Sequence, residues 1–197
     1  MKKILVTPAI MLIIFGLLLS FKSPKTTNIL PVDLSKSKIE WIGRKIGGKH
    51  NGYVTITSGT VETDGKMLTG GSFVVDASSM TDVDLSYKKE NNWLMGHLKN
   101  NFFEVTKYPK ATFVITSVTP EGNNFTVVGK LTIKDVTQEI KFPAIINTTS
   151  TAVNATATIR INRHNFNVDY GAGIVKRMAD QAIKDEFDLN VTLVAGK

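Results

Sequence analysis

Three histidines, His50, His97 and His164, are the side chains of this 197-residue chain best suited to proton transfer or metal ligation near neutral pH. His164 follows Arg163 directly and stands four residues after Arg160. That trio could receive a phosphate or carboxylate through charge-assisted hydrogen bonds, with surface solvation as the equal alternative. His50 lies in the run Gly47-Gly48-Lys49-His50-Asn51-Gly52. There it either meets a polar ligand head or makes the hydrogen bonds of a turn. His97 opens a His-Leu-Lys segment before Phe102-Phe103 and is read as anchoring a helix. No Asp or Glu clusters with these histidines along the chain, so no metal spacing is present and no metal site is expected.

Other chemistries are excluded or unsupported. The chain has no cysteine, which removes disulfides, zinc thiolates, iron–sulfur clusters and thiol nucleophiles. Ser72, Ser78 and Ser79 lack a Gly-x-Ser-x-Gly context, and no phosphate-cradling Gly-x-x-x-x-Gly-Lys-Ser/Thr loop occurs. The net charge of +7 is mildly basic, yet Lys45, Lys49, Lys88, Lys89 and Lys99 are scattered, so nucleic acid is not expected as a partner. Neither a catalytic residue nor a cofactor is expected, and the chain is not read as an enzyme.

The elements that must position these residues are strands. Thr, Val and Ile together make up 58 of the 197 residues, a composition that favours extended backbone. Period-two alternation recurs in eight segments, including Ile39/Trp41/Gly43, Gly52/Val54/Ile56, Gly71/Phe73/Val75, Phe113/Ile115 and Phe125/Val127/Gly129/Leu131/Ile133. It continues in Ile140/Phe142/Ala144, Val153/Ala155/Ala157/Ile159/Ile161 and Phe187/Leu189/Val191/Leu193. One face wet and one buried argues for an antiparallel sheet, and eight such strands can close on themselves and lose their edges. The expected fold is therefore all-β, an eight-stranded antiparallel barrel with one or two short helices. One helix is expected within residues 81–100, capped by Asp84 or Ser86, and a second helix or a long loop over 171–185.

Met1-Lys2-Lys3 followed by an uncharged run over residues 4–19 reads as an export signal without a good cleavage site, or as an uncleaved anchor. The expected organisation is a signal or anchor at 1–23, a linker at 24–33 and a barrel domain at 34–197. The folded part is expected outside the cytoplasmic membrane, in the periplasm or elsewhere in a bacterial envelope.

A barrel of this size either is filled by its own side chains, as in a structural or stress-related protein that acts through a surface partner, or holds one small ligand. Strands of about 10 residues, at ~3.3 Å per residue and a tilt of roughly 40°, enclose a lumen about 25 Å tall. The inward rows give the candidate lining: Ile39, Trp41, Val54, Ile56, Phe73, Val75, Phe113, Ile115, Phe125, Val127, Leu131, Ile133, Phe142, Ile159, Phe187 and Leu189. Small residues share those rows (Gly43, Gly71, Gly129, Ala155, Ala157) and either leave room for a tail or let large neighbours close over them.

Several stretches resemble the YceI-like family of exported polyisoprenoid-binding proteins. They are Trp41 with Gly47–Gly52, Gly70-Gly71-Ser72-Phe73-Val74-Val75-Asp76, His97–Val105, Tyr108–Phe113, Val128–Ile133 and Arg163-His164-Asn165-Phe166. The resemblance runs from about residue 34 to 194 and rests on the order and spacing of these pieces. It implies a lipocalin-like barrel with a helix at one end and an amphiphile held tail-inward, a polyisoprenoid or a fatty acid or amide. His50, Arg160, Arg163 and His164 are then the candidates for its head group. Contact with a membrane surface and pairing of two copies stay open. Asp135 and Asn167 stand where the family often has Gly, which puts the turns there in question.

Overall fold

The computed structural model describes residues 27–169 and 182–196. The expected signal or anchor, the start of the linker and most of the expected second helix lie outside the described residues.

Nine strands form one antiparallel sheet: β1 (Asn28–Pro31), β2 (Lys38–Lys45), β3 (Gly48–Thr63), β4 (Leu68–Asp76), β5 (Lys110–Glu121), β6 (Asn124–Ile133), β7 (Val136–Thr148), β8 (Ala152–Asn162) and β9 (Glu186–Gly196). The order is β1-β3-β2-β9-β8-β7-β6-β5-β4, and β4 pairs back onto β3, which closes an eight-membered barrel. The ninth strand corrects the sequence reading. Residues 28–31 were expected in a linker, but β1 pairs with the far half of β3 (Asn28↔Thr63 to Pro31↔Thr60), while β2 pairs with its near half (Ile39↔Val54 to Lys45↔Gly48). Val32 then bridges to Ala195 of β9. β1 and β2 are thus two collinear pieces of one stave. Leu30 and Val32 pack into the core while Pro31 faces outward; the Val32 N–H donates to Gly59 on β3, so the missing N–H of Pro31 falls on the opposite edge of β1 and breaks no bond to β3.

Two strands outrun the alternation that announces them. β3 shifts register between Ile56 and Ser58, and β5 between Ile115 and Ser117. Each bulge switches the inward parity, from Ile56 to Val61 and Thr63 in β3 and from Ile115 to Val118 in β5. Lys134 and Asp135 form the two-residue turn joining β6 to β7, both at positive φ (50° and 61°), and Asn167 is also left-handed at 54°. A type I′ hairpin needs that pair of conformations. The turns that Gly would make are therefore kept here with Asp and Asn, the residues best able to adopt them.

Helix α1 (Lys88–His97) and a wider turn over Leu98–Phe102 pack across one pole of the barrel. The expected cap is not used: Tyr87 holds the N-cap position without a side-chain bond, and Asp84 is engaged elsewhere. Lys134 fastens this pole, donating to the carbonyls of Phe102 (3.0 Å) and Asn167 (2.8 Å) and pairing with Glu104. Two clusters of buried residues result. One is built around Val61, Val127, Phe142 and Val153, the other around Phe102, Ile161, Phe166 and Val168.

Candidate functional site

The barrel interior is not filled. Val54, Phe73, Phe113, Ile115, Ile159 and Leu189 point inward yet are only partly buried, because the surface they keep faces a hollow. That hollow has a volume of about 980 Å³, at the top of the range for small-molecule sites. Every lining position read from the alternation borders it except Phe125. Phe125, the second residue of β6, packs against the first cluster without bordering the space.

The distribution of small and large residues explains the void. Ala144, Ala155 and Ala157 line one wall, where β7 and β8 face each other as Ala144↔Ala157 and Ile146↔Ala155. A wall of rings runs from β4 and β5 to the adjoining part of β7: Phe73 and Phe113 stack at 6.3 Å, and Phe113 and Phe142 meet at 5.7 Å. Gly129 belongs to this ring wall, since a Cβ there would come within 2.4 Å of the Phe113 ring. Its smallness therefore seats Phe113 and adds nothing to the hollow, unlike that of Ala155 and Ala157. At the pole away from α1, the lining residues Leu68, Ile146 and Leu193 are buried and close the space. At the α1 pole the lining includes Lys89, Glu90 and Trp93, and Trp93 is 65% exposed. Among the described residues the cavity opens alongside α1. The contribution of α1 and its flanks (Leu85, Trp93, Leu94, Leu98, Phe102) escaped the sequence reading of the lining, which counted strands only.

The four head-group candidates do not converge. Arg160 lies on the outer face, where it and Arg44 flank the buried carboxylate of Asp188 at 2.9 and 2.6 Å. The Arg160 guanidinium beside it, against the cost of burial and with help from Arg44, holds the Asp188 carboxyl below its ordinary value of 3.8. His164 sits between Asp169 and Asp185, and its Nε2 is 3.0 Å from Asp185. Arg163 is buried and donates to the carbonyls of Lys184 (3.2 Å) and Val168 (3.1 Å). Asp169, close along the chain, and Asp185 and Asp188, brought in by the fold, thus already engage the trio read as an anion receiver or a solvated surface. Only His50 and Arg163 border the cavity, and Arg163 is committed to the backbone.

His50 belongs to a second arrangement. Gly52 lets a neighbouring segment come close, since a Cβ there would lie 1.8 Å from the Thr81 carbonyl oxygen. That carbonyl accepts from Trp41 Nε1 (2.9 Å), while Thr81 and Val83 donate to the Tyr53 and Asn51 carbonyls. The segment so laid against β3 brings Asp82 and Asp84 to His50, with one ligand atom from each within 4.8 Å of the others. His50 Nδ1 is 2.9 Å from Asp84 Oδ2, and Asp84 Oδ1 accepts from the Asn51 N–H at 2.8 Å. Asp82 Oδ1 accepts from Leu85 N (2.9 Å) and Asn91 Nδ2 (3.1 Å), but its buried Oδ2 has no hydrogen-bond partner among the described residues. Burial pushes the Asp82 carboxyl above its ordinary value; the Leu85 N–H works against this and the Asp84 carboxylate adds to it. Burial acts on Asp84 too, but the Asn51 N–H and the His50 ring outweigh it and hold that carboxyl low. The acidic neighbours that the sequence denied to His50 are therefore supplied by the fold.

A closed antiparallel barrel with a helix over one pole and an apolar, ligand-sized hollow is a binding architecture. The model of the YceI-like domain matches residues 31–195, and the chain belongs to that family. Protein YceI of Shigella flexneri is 35% identical over 65 residues, 32% of each chain. A UPF0312 protein of Pectobacterium carotovorum subsp. carotovorum is 31% identical over 84 residues, 38% of this chain and 44% of that protein. The matched stretches span less than half the length of these curated relatives. Among solved structures, Burkholderia cenocepacia BcnA superposes with a TM-score of 0.67 at 27% identity, covering 83% of this chain and 99% of that one. A polyisoprenoid binding domain from Saccharophagus degradans, implicated in plant cell wall breakdown, shares the fold at a TM-score of 0.63 and 13% identity, covering 85% and 97%.

Proposed function

We propose that the protein holds one long-chain amphiphile, a polyisoprenoid or a fatty acid or amide, tail-inward in the barrel, as a carrier or reservoir in the cell envelope. The observation that carries this reading is the hollow between inward apolar rows that do not mesh. Its 980 Å³, at about 30 Å³ per heavy-atom group, accommodates on the order of 30 groups, or about six isoprene units. Each methylene moved from water contributes about 0.8 kcal/mol, so a tail alone drives binding. The head remains at the α1 pole, near His50. Lys88 and Lys89 on α1, with exposed Val83 (54%), Tyr87 (74%) and Trp93 (65%) around them, suit contact there with an anionic bilayer surface. Binding rather than catalysis fits a cavity whose polar groups stand at its rim, and export accords with the basic start and uncharged run of the sequence.

Mass spectrometry of organic extracts from gently purified protein tests the reading. A stoichiometric long-chain lipid is the expected result. A chain that purifies empty and takes up neither prenyl nor fatty probes overturns it.

A further inference from the structure

We propose that His50, Asp82 and Asp84 bind a divalent transition-metal cation where the 81–84 segment meets β3, a function separate from holding a tail. Three observations carry it. One imidazole nitrogen and two carboxylate oxygens already lie within 4.8 Å of one another. Ligand distances of about 2.1 Å place donors on a tetrahedral ion roughly 3.4 Å apart, so small side-chain rotations close the set. The second observation is the orphaned oxygen. Asp82 is 9% exposed, and among the described residues its buried Oδ2 has no donor, while Oδ1 is occupied by Leu85 and Asn91. A buried carboxylate oxygen left unpartnered is costly, and here its neighbour is a second carboxylate. A cation would satisfy the orphaned oxygen and offset the repulsion between the two carboxylates at once.

The third observation is that the ligands are held from behind. The Asn51 N–H fixes Asp84, and the Leu85 N–H and the Asn91 amide fix Asp82, the outer shell that metal ligands require. His50 and Asp84 keep side-chain exposures of 20% and 31%, which leaves an ion a route in from solvent. One imidazole with two carboxylates favours Zn²⁺-like ions over Ca²⁺, which takes an all-oxygen shell of six or more ligands. The His164 cluster does not compete, because its two ring nitrogens face different carboxylates.

The test is calorimetric titration of the untagged, chelator-washed full chain in mild detergent with ZnCl₂ and, separately, CaCl₂. One Zn²⁺ per chain is expected, with affinity falling more than about tenfold in His50→Gln and in Asp84→Asn and holding in His164→Gln. Circular dichroism establishes that each variant is folded. If both ligand variants unfold, imidazole NMR of the unaltered chain decides, because only the His50 ring signals should move with added Zn²⁺. The proposal is overturned if the unaltered chain shows no stoichiometric Zn²⁺ binding, if Ca²⁺ binds as tightly, or if both variants bind as before. A lone shared proton between Asp82 and Asp84 would give the first of these results.

Discussion

Replacing Ala157 by Phe tests whether the hollow is the binding site. Ala157 lines the cavity between Ala144 and Val191 on the neighbouring strands. The new phenyl ring projects into the space and displaces about six of the ~30 groups it accommodates. At about 0.8 kcal/mol per methylene, a tail long enough to fill the cavity loses about 5 kcal/mol. That is on the order of a thousandfold in affinity, at 1.4 kcal/mol per tenfold. A short tail that never reaches the ring loses little. The assay is displacement of a fluorescent fatty probe by a series of amphiphiles with one head group and increasing tail length. Affinity of the unaltered protein should climb with length and level off as the cavity fills, and in Ala157→Phe it should level off about six carbons earlier. Unfolding free energy should fall by no more than about 1–3 kcal/mol, since the ring enters open space. The same plateau in both proteins, or no length dependence in the unaltered one, refutes the reasoning.

Gly129→Ala should behave in the opposite way, lowering unfolding free energy by about 1–3 kcal/mol in denaturant melts, because its Cβ would meet the Phe113 ring at 2.4 Å and the Val114 carbonyl oxygen at 2.6 Å. Acid should erode a specific part of the stability. The Asp188 carboxyl is held low by Arg160, so it stabilises the fold above the ordinary value of 3.8 and loses that contribution as pH falls through its lowered native value. Urea midpoints from pH 7 to pH 2 should show Asp188→Asn less stable by about 2 kcal/mol at neutrality, with the gap closing in acid; a constant gap contradicts the assignment. The double change Tyr87→Ala and Trp93→Ala should slow lipid uptake from anionic vesicles several-fold while leaving uptake from detergent intact, and equal slowing in both would point to damage to the cavity.

Much of the barrel was legible because a half-buried strand writes its geometry into every second residue. Ile39/Trp41, Phe73/Val75 and Ile159/Ile161 announced their strands and their inward faces. The far halves of β3 and β5 were lost at their bulges, where the parity flips. β1 was lost because Pro24, Asn28 and Pro31 read as linker and only Leu30 and Val32 alternate. The trio at 160–164 stayed open between an anion site and a solvated surface for a different reason. Nearness along the chain says nothing of the carboxylates at 185 and 188 that the fold delivers to it. The corner at His50 was illegible in the same sense, since more than thirty residues separate His50 from its acidic neighbours. The only hint was Gly52, whose missing side chain admits the Thr81 carbonyl.

The split stave gives the molecule a head and a tail. Asn28 joins the sheet opposite Thr63, whereas β2 ends at Lys45 opposite Gly48, beneath the helix. Asn28 therefore stands at the sealed end, and the doorway faces the other way. A copy moored through that end would present its opening to the surrounding compartment and would have to topple to serve the membrane that moors it. Hand-over across a gap, to an acceptor on the opposite side, then needs no such reorientation.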